Sequence, residues 1–135
     1  MASILKVDDL RGNTAAGNIT ITSEGGAATM QLQQGLAKSW LNLTGSGTPA
    51  INGTLNVSSI TDHGTGEYTE NFTNNYSSTN DQSFSGCSAA SANYMLVYHA
   101  NYTASTSSHK FFTANQAVSL VDATPAWIQG HGDLA

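Results

Sequence analysis

The sequence predicts a mainly β chain: an N-terminal arm or hairpin with a short helix, followed by an antiparallel β-sandwich or jelly-roll-like domain. Three observations lead there. Ser, Thr and Asn number 16, 16 and 12 in 135 residues, while charged residues make up only 10%; an average soluble domain carries about 25% charge. Apolar residues are not scarce throughout, as in a disordered chain. They cluster at Tyr94–Tyr98, Phe111-Phe112 and Ala117–Val121. Turn signals separate the apolar runs at intervals of about 8–15 residues, the spacing of short strands.

The elements follow in order. In residues 2–10, Ile4, Lys6 and Asp8 alternate weakly with Leu5 and Val7, which reads as a short strand or arm. RGNTAAG is a turn-rich break. NITIT at 18–22 alternates cleanly, with Ile19 and Ile21 on one face, and is expected to form a second strand, in a hairpin with the first. The segment 27–40 then carries the one helical pattern: Met30, Gln33, Ala37 and Trp40 fall at heptad-like spacing, with Leu32 and Leu36 beside them as an i, i+4 pair. Gly35 weakens that helix by about 1 kcal/mol relative to Ala, and Lys38 suits the negative end of its dipole. So short a helix is marginal alone. It is expected to pack in a symmetric bundle of copies or on its own chain's sheet.

From Trp40 onward the pattern is β. SWLNL is a strand. Residues 52–62 carry Leu55 and Val57 and then Ile60 out of phase, and the slip across Ser58-Ser59 predicts a β-bulge. HGTG at 63–66 is a turn, and EYTENFT returns with Tyr68 and Phe72 on one face, so 52–73 reads as a hairpin. Glu70 shares that face and must reach the rim or meet a cation of another chain. Residues 74–83 form an exposed polar loop. SFSGCSAAS, NYMLVYHANYT, SHKFFTANQAVSLVD and AWIQGHGDLA supply further strands, with TASTSS as a hairpin loop. Tyr94–Tyr98, apolar on both faces, predicts a central strand.

Composition excludes several functions. Four Lys plus Arg and a formal charge of -5 leave no cation cluster to displace counterions from nucleic acid. No run approaches the roughly 18 apolar residues of a membrane span. Residues 1–10 lack a basic-then-apolar signal, so a secretory route is not expected. The single Cys87 forms no internal disulfide and is expected as a small buried hydrophobe.

Candidate chemistry is thin. N-x-S/T sequons start at Asn18, Asn42, Asn52, Asn56, Asn71, Asn75 and Asn101, but positions i and i+2 share a strand face, so a polar face of Asn and Thr generates them without glycosylation. His63, His99, His109 and His131 form no zinc motif; His131 reads as a hydrogen-bonded strand-end residue, with a metal shared on a threefold axis by His131 and Asp133 as the alternative. Asp62 and Glu67 flank a turn without calcium-loop spacing. The acidic pairs Asp8-Asp9 and Glu67 with Glu70 read as surface or rim, and no nucleophile elbow occurs. No enzyme and no cofactor are expected.

A domain of this size buries only about two-thirds of its unfolded surface, and large apolar residues are sparse here. Identical chains that share a core offset the deficit, so an obligate oligomer is expected.

SEGGAATMQLQQGLAKSW at 23–40, NVSSITDHGTGEYTENFTN at 56–74 and the ending GDLA, with ILKVDDL and GNITITSEGG near the start, together resemble short virion proteins of marine and cyanobacterial tailed phages, described as tail-fibre or tail-associated. The resemblance implies a homotrimeric virion component, with residues 1–38 as the attachment and trimerisation arm and 39–135 as the outward β-domain. The expected arm contacts are Leu5, Val7, Ile19, Ile21, Met30, Leu32 and Leu36. The implied partners are other copies, a tail adaptor, nozzle or capsid protein, and a host-surface glycan, the last met through loops 74–83 and 103–109. A capsid decoration or head-fibre protein is the alternative, and a glycan-degrading enzyme a distant second. A neutral polar surface suits seawater, where the Debye length is about 4 Å and exposed ion pairs contribute little.

Overall fold

The computed structural model describes residues 4–15, 19–22, 25–26, 28–90, 93–98 and 103–135. The chain divides into two compact units, Met1–Leu36 and Ala37–Ala135.

In the first unit, β1 (Thr20–Thr22) pairs antiparallel with β2 (Thr29–Gln31), Ile21 opposite Met30. The hairpin is therefore made by the second expected strand and the start of the expected helix. Residues 4–10 form no strand. The helix over 27–40 is corrected as well: it reduces to a single 3-10 turn, Gln33–Gly35. The heptad-like spacing coexists with strand alternation at both ends, and cross-strand pairing decides between them. Gly35 leaves the middle without helical persistence.

The second unit is an eight-stranded antiparallel sheet in the order β4-β3-β10-β7-β8-β9-β6-β5. Its strands are β3 (Ser39–Thr44), β4 (Ala50–Leu55), β5 (Val57–Gly64), β6 (Glu67–Phe72), β7 (Ser83–Ala90), β8 (Asn93–Tyr98), β9 (Ser108–Ala114) and β10 (Ala126–His131). The first half of β8 pairs with β7 and the second half with β9, so this one strand joins the two halves of the sheet. At the far side, only Asn56 separates the two edge strands β4 and β5. Asn56 has φ 59°, a left-handed conformation that Asn tolerates, and its side-chain Oδ1 accepts the Asn74 N–H at 2.7 Å. β8 is internal to the sheet, as expected; the burial of its side chains lies outside the described residues, as do Asn18, His99 and Asn101.

Period-2 alternation fills the interior. β3 turns Ser39, Leu41 and Leu43 inward, β6 Tyr68, Glu70 and Phe72, β9 His109, Phe111 and Thr113, and β10 Ala126 and Ile128. With Val57, Tyr76 and Ala123 the apolar members of this set form one core, and Ile60 and Phe84 pack against it. The residues of this core are buried within the one chain. Aromatic bulk is the reason: Phe72 lies 5.0 Å from Tyr76 and 6.1 Å from Phe84, centroid to centroid, and Tyr68 lies 5.7 Å from Phe111. Gly130 is required where β10 crosses this cluster, because a Cβ there would collide with the Tyr76 hydroxyl, the Phe84 ring and Ser39 Oγ.

The bulge at Ser58 is present: the β5–β6 register slips between Val57 and Ser59. The hairpin is 57–72 and not 52–73, since 50–55 pairs with β3. The expected strand at Ala117–Val121 is a turn plus one bridge, Ala114 to Leu120. Asn115 Oδ1 accepts the N–H groups of Ala117 and Ser119, each at 3.0 Å, and this local cap competes with a ladder. In the loop 74–83, Tyr76 is buried.

Glu70 reaches neither a rim nor another chain. It lies opposite His109 in the β6–β9 register, and its Oε1 bonds His109 Nδ1 at 2.9 Å, both side chains being almost wholly buried. The His109 ring stacks on Phe84 at 3.8 Å with 5° between planes.

Removing one member of a buried hydrogen-bonded pair leaves the other without its partner, at a cost of up to about 3 kcal/mol. Glu70→Ala should lose that much in urea unfolding. Glu70→Gln, which keeps an acceptor, should lose about 1–2 kcal/mol. Equal losses in the two variants contradict a role for the pair beyond filling space.

Candidate functional site

The outer face of β3, β10 and β7 departs from the Ser/Thr/Asn coat of the other strands. Outward alternation places Trp40 and Asn42 on β3, Trp127 and Gln129 on β10, and Ser85 and Cys87 on β7. The register sets Gln129 between Trp40 and Ser85, and Trp127 between Asn42 and Cys87. The two indoles are diagonal neighbours on adjacent strands, about 7–8 Å apart by sheet geometry. They line an open cavity of about 420 Å³ with Ser85, Gly86, Cys87 and Gln129. None of its lining residues is charged.

Several contacts hold this face in place. The six-membered ring of Trp40 lies across β4 at Gly53, where a Cβ would come within 3.2 Å of it. Gln129 Nε2 donates to Ser85 Oγ at 3.2 Å. Inward neighbours Leu41 and Ile128 are buried in the core, so the backbone beneath the face is anchored. Trp40 and Trp127 nevertheless remain 42% and 40% exposed, unusual for the largest apolar side chains.

Elsewhere the outer surface mixes exposed apolar residues, Ile51 and Leu55 on β4 among them, with ladders of small polar groups. Asn52 Nδ2 donates to Thr44 Oγ1 at 2.9 Å, Asn71 Nδ2 to Ser59 Oγ at 3.1 Å and to Thr61 Oγ1 at 3.2 Å. Sequon residues thus bond across strands. Cys87 is exposed, correcting its expected burial: it alternates outward opposite Trp127. The loops 74–83 and 103–109 present no exposed aromatic ring among the described residues, since Tyr76 is turned inward with its hydroxyl 2.9 Å from Ser39 Oγ. The glycan contact expected there loses its flat apolar surface.

The acidic candidates do not converge. Asp9 pairs with Arg11 at 2.6 Å. Glu67 faces outward and pairs with Lys110, while Glu70 on the same strand points into the core. Asp62 Oδ1 accepts the Gly64 N–H at 2.9 Å, closing its turn. Among the described residues no three His, Cys, Asp or Glu side chains gather into a metal-ligand group, and no helix is long and apolar enough to cross a membrane.

The expected arm contacts lie in the first unit. Leu5 is 77% exposed and Val7, Ile21, Met30 and Leu36 lie between 41% and 54%, while Ile19 and Leu32 are half-buried. Ile4 and Leu10 add to this uncovered apolar surface. No protein-family model, curated protein or solved structure matches the chain.

Sequence reasoning missed the paired indoles and the Glu70–His109 contact. A signal for the former was present: in AWIQGH the large Trp127 alternates out of phase with Ala126 and Ile128, an outward indole in a strand whose inward side is already apolar.

Two buried tyrosines tie the core together. Tyr68 donates to Asp122 Oδ1 at 2.7 Å, and the same carboxylate oxygen accepts the Gly66 N–H at 2.7 Å. Gly66, at φ +68°, comes too close to Val121 and the Thr113 carbonyl to carry a side chain. Burial, then the Asp122 hydrogen bond and charge, push the Tyr68 phenol well above its ordinary value of 10.0. Burial also raises Tyr76, against the lowering effect of Ser39. Both groups hold their protons longer in the folded chain. Their stabilisation is complete below the unfolded value near 10 and is lost as pH rises from there towards the folded values. Unfolding free energy should therefore decline above about pH 10, less steeply in Tyr68→Phe; an unchanged alkaline slope in that variant contradicts the assignment to Tyr68.

Proposed function

We propose that the chain is a structural, self-associating virion protein of a tailed phage, a trimeric tail fibre or appendage that meets the host surface, without catalysis. The observation that carries this reading is the uncovered apolar surface of the first unit. Ile4, Leu5, Val7, Leu10, Met30 and Leu36 are each at least half exposed. Such a concentration in 36 residues is the mark of a surface that a partner covers. The exposed apolar residues of 37–135 are spread over a much longer stretch of chain, so association is placed on the arm. The copy number and the virion setting rest on the resemblance of 23–40 and 56–74 to short phage tail proteins. The reading carries no catalytic role: Asp9, Glu67 and Asp122 each meet a different partner, whereas acid–base catalysis needs titratable groups brought together.

Light scattering of the full chain at micromolar concentration should give a mass three times 14.1 kDa. The double variant Leu5→Asp with Met30→Asp should fall to a single chain with its far-ultraviolet circular dichroism unchanged. A monomeric natural chain removes the physical basis of the reading. Antibodies to the chain should also label intact particles at the tail.

A further inference from the structure

We propose that the outer face of β3, β10 and β7 is a binding site for a neutral saccharide, with Trp40 and Trp127 as stacking platforms and Gln129 and Ser85 as hydrogen-bonding groups. The inference deepens the appendage reading and rests on it only for the source of the sugar, a host-surface glycan.

The chemistry of the face selects this ligand. An indole ring has an electron-rich face, which attracts the polarised C–H groups on the apolar side of a pyranose. A sugar also carries a hydroxyl rim that requires donors and acceptors in the plane of the ring. Here the two requirements are met side by side. The protein's only two tryptophans sit on one cavity, and the β3–β10 register places an amide directly beside each: Gln129 opposite Trp40, Asn42 opposite Trp127. Ser85 holds one N–H of Gln129. The Gln129 carbonyl oxygen is left to accept and its second N–H to donate. With no charged residue in the lining, an anionic or cationic ligand finds no counter-charge there. The cavity, at about 420 Å³, lies in the range of about 300–1,000 Å³ typical of small-ligand sites. It is open, which suits a chain of sugars entering and leaving along the sheet.

The alternative occupant is a second copy of the chain. A dry protein interface would bury Gln129 and Ser85 beside the indoles and would have to satisfy both. Polar and aromatic groups alternate along β3 and β10, a pattern that suits a ligand with both characters on each of its units.

The arrangement provides its own reporters. Fluorescence excited at the red edge of indole absorption comes only from Trp40 and Trp127, and the sole thiol, Cys87, lies in the same cavity. The full-length protein is titrated with cellotetraose, chitotetraose and mannotetraose. The expected result is a saturable fluorescence change with at least one of them, at a Kd of about millimolar or tighter. That sugar should slow modification of Cys87 by a thiol reagent several-fold. Trp127→Ala and Trp40→Ala should each weaken binding by about tenfold or more, the loss expected for an aromatic anchor. Gln129→Ala should weaken it by a smaller factor. Trp127→Thr keeps a strand-forming residue and guards against a folding defect in the alanine variant. No saturable change with any of the three sugars overturns the proposal. So does binding that survives loss of both indoles, or a fluorescence signal that follows protein concentration and marks the face as an interface between copies. Light scattering on the same samples separates the two readings. A trimer that binds no sugar sinks only the saccharide site, and a monomer that binds sugar sinks only the appendage reading.

Discussion

A chain with 39% hydrophobic residues can enclose a core only if each inward position carries as much bulk as it can hold. That constraint shapes the second unit. Its interior is built around Tyr68, Phe72, Tyr76, Phe111 and the half-buried Phe84, with Leu41, Leu43, Val57 and Ile128 around them. Aromatic side chains bury the most area per residue, and two of these bring a hydroxyl inside. A buried polar group without a partner is costly, so the core depends on tying these ends down. Tyr68 is held by Asp122, Tyr76 by Ser39, and Glu70 by His109. Gly66 and Gly130 then follow as requirements, because the backbone approaches Val121 in one case and the Tyr76 hydroxyl in the other too closely for any side chain.

Once the inward positions are committed to bulk, the outward positions are free to carry function. On most strands they carry Asn, Thr and Ser, which bond to each other across the ladder and need no counter-charge. On β3 and β10 they carry indoles instead. The same backbone that buries Leu41 and Ile128 presents Trp40 and Trp127, so the face is rigid from below. A rigid, uncharged platform with amides at fixed positions loses little conformational entropy when it binds.

The two units follow different physical regimes. The second closes its own interior. The first is a three-residue-per-strand hairpin and a single 3-10 turn, and an isolated hairpin of that size is marginal in water. Its exposed apolar side chains are crowded into a short stretch, and this is why the proposed self-association is placed on the arm and the proposed saccharide contact on the sheet.

Strand alternation was legible in SWLNL, NITIT and EYTENF because a period of two is a local property of the backbone. The bulge was legible for the same reason: Ile60 falls out of phase with Val57. Even Glu70 was placed on the correct face from its phase with Tyr68 and Phe72. Its partner was not legible, because His109 reaches it through the β6–β9 register, which no local pattern encodes. The segment 27–40 was misread because spacings of three and four occur in a sequence that also alternates, and only pairing of β1 with β2 and of β3 with β10 and β4 chose the strand. The paired indoles are the extreme case. Trp40 and Trp127 lie near opposite ends of the second unit's sequence, and antiparallel pairing of its first strand with its last brings them together. Local sequence determined which side chains face in and which face out; the order of the strands, a long-range choice made by packing of the core, decided which outward side chains meet.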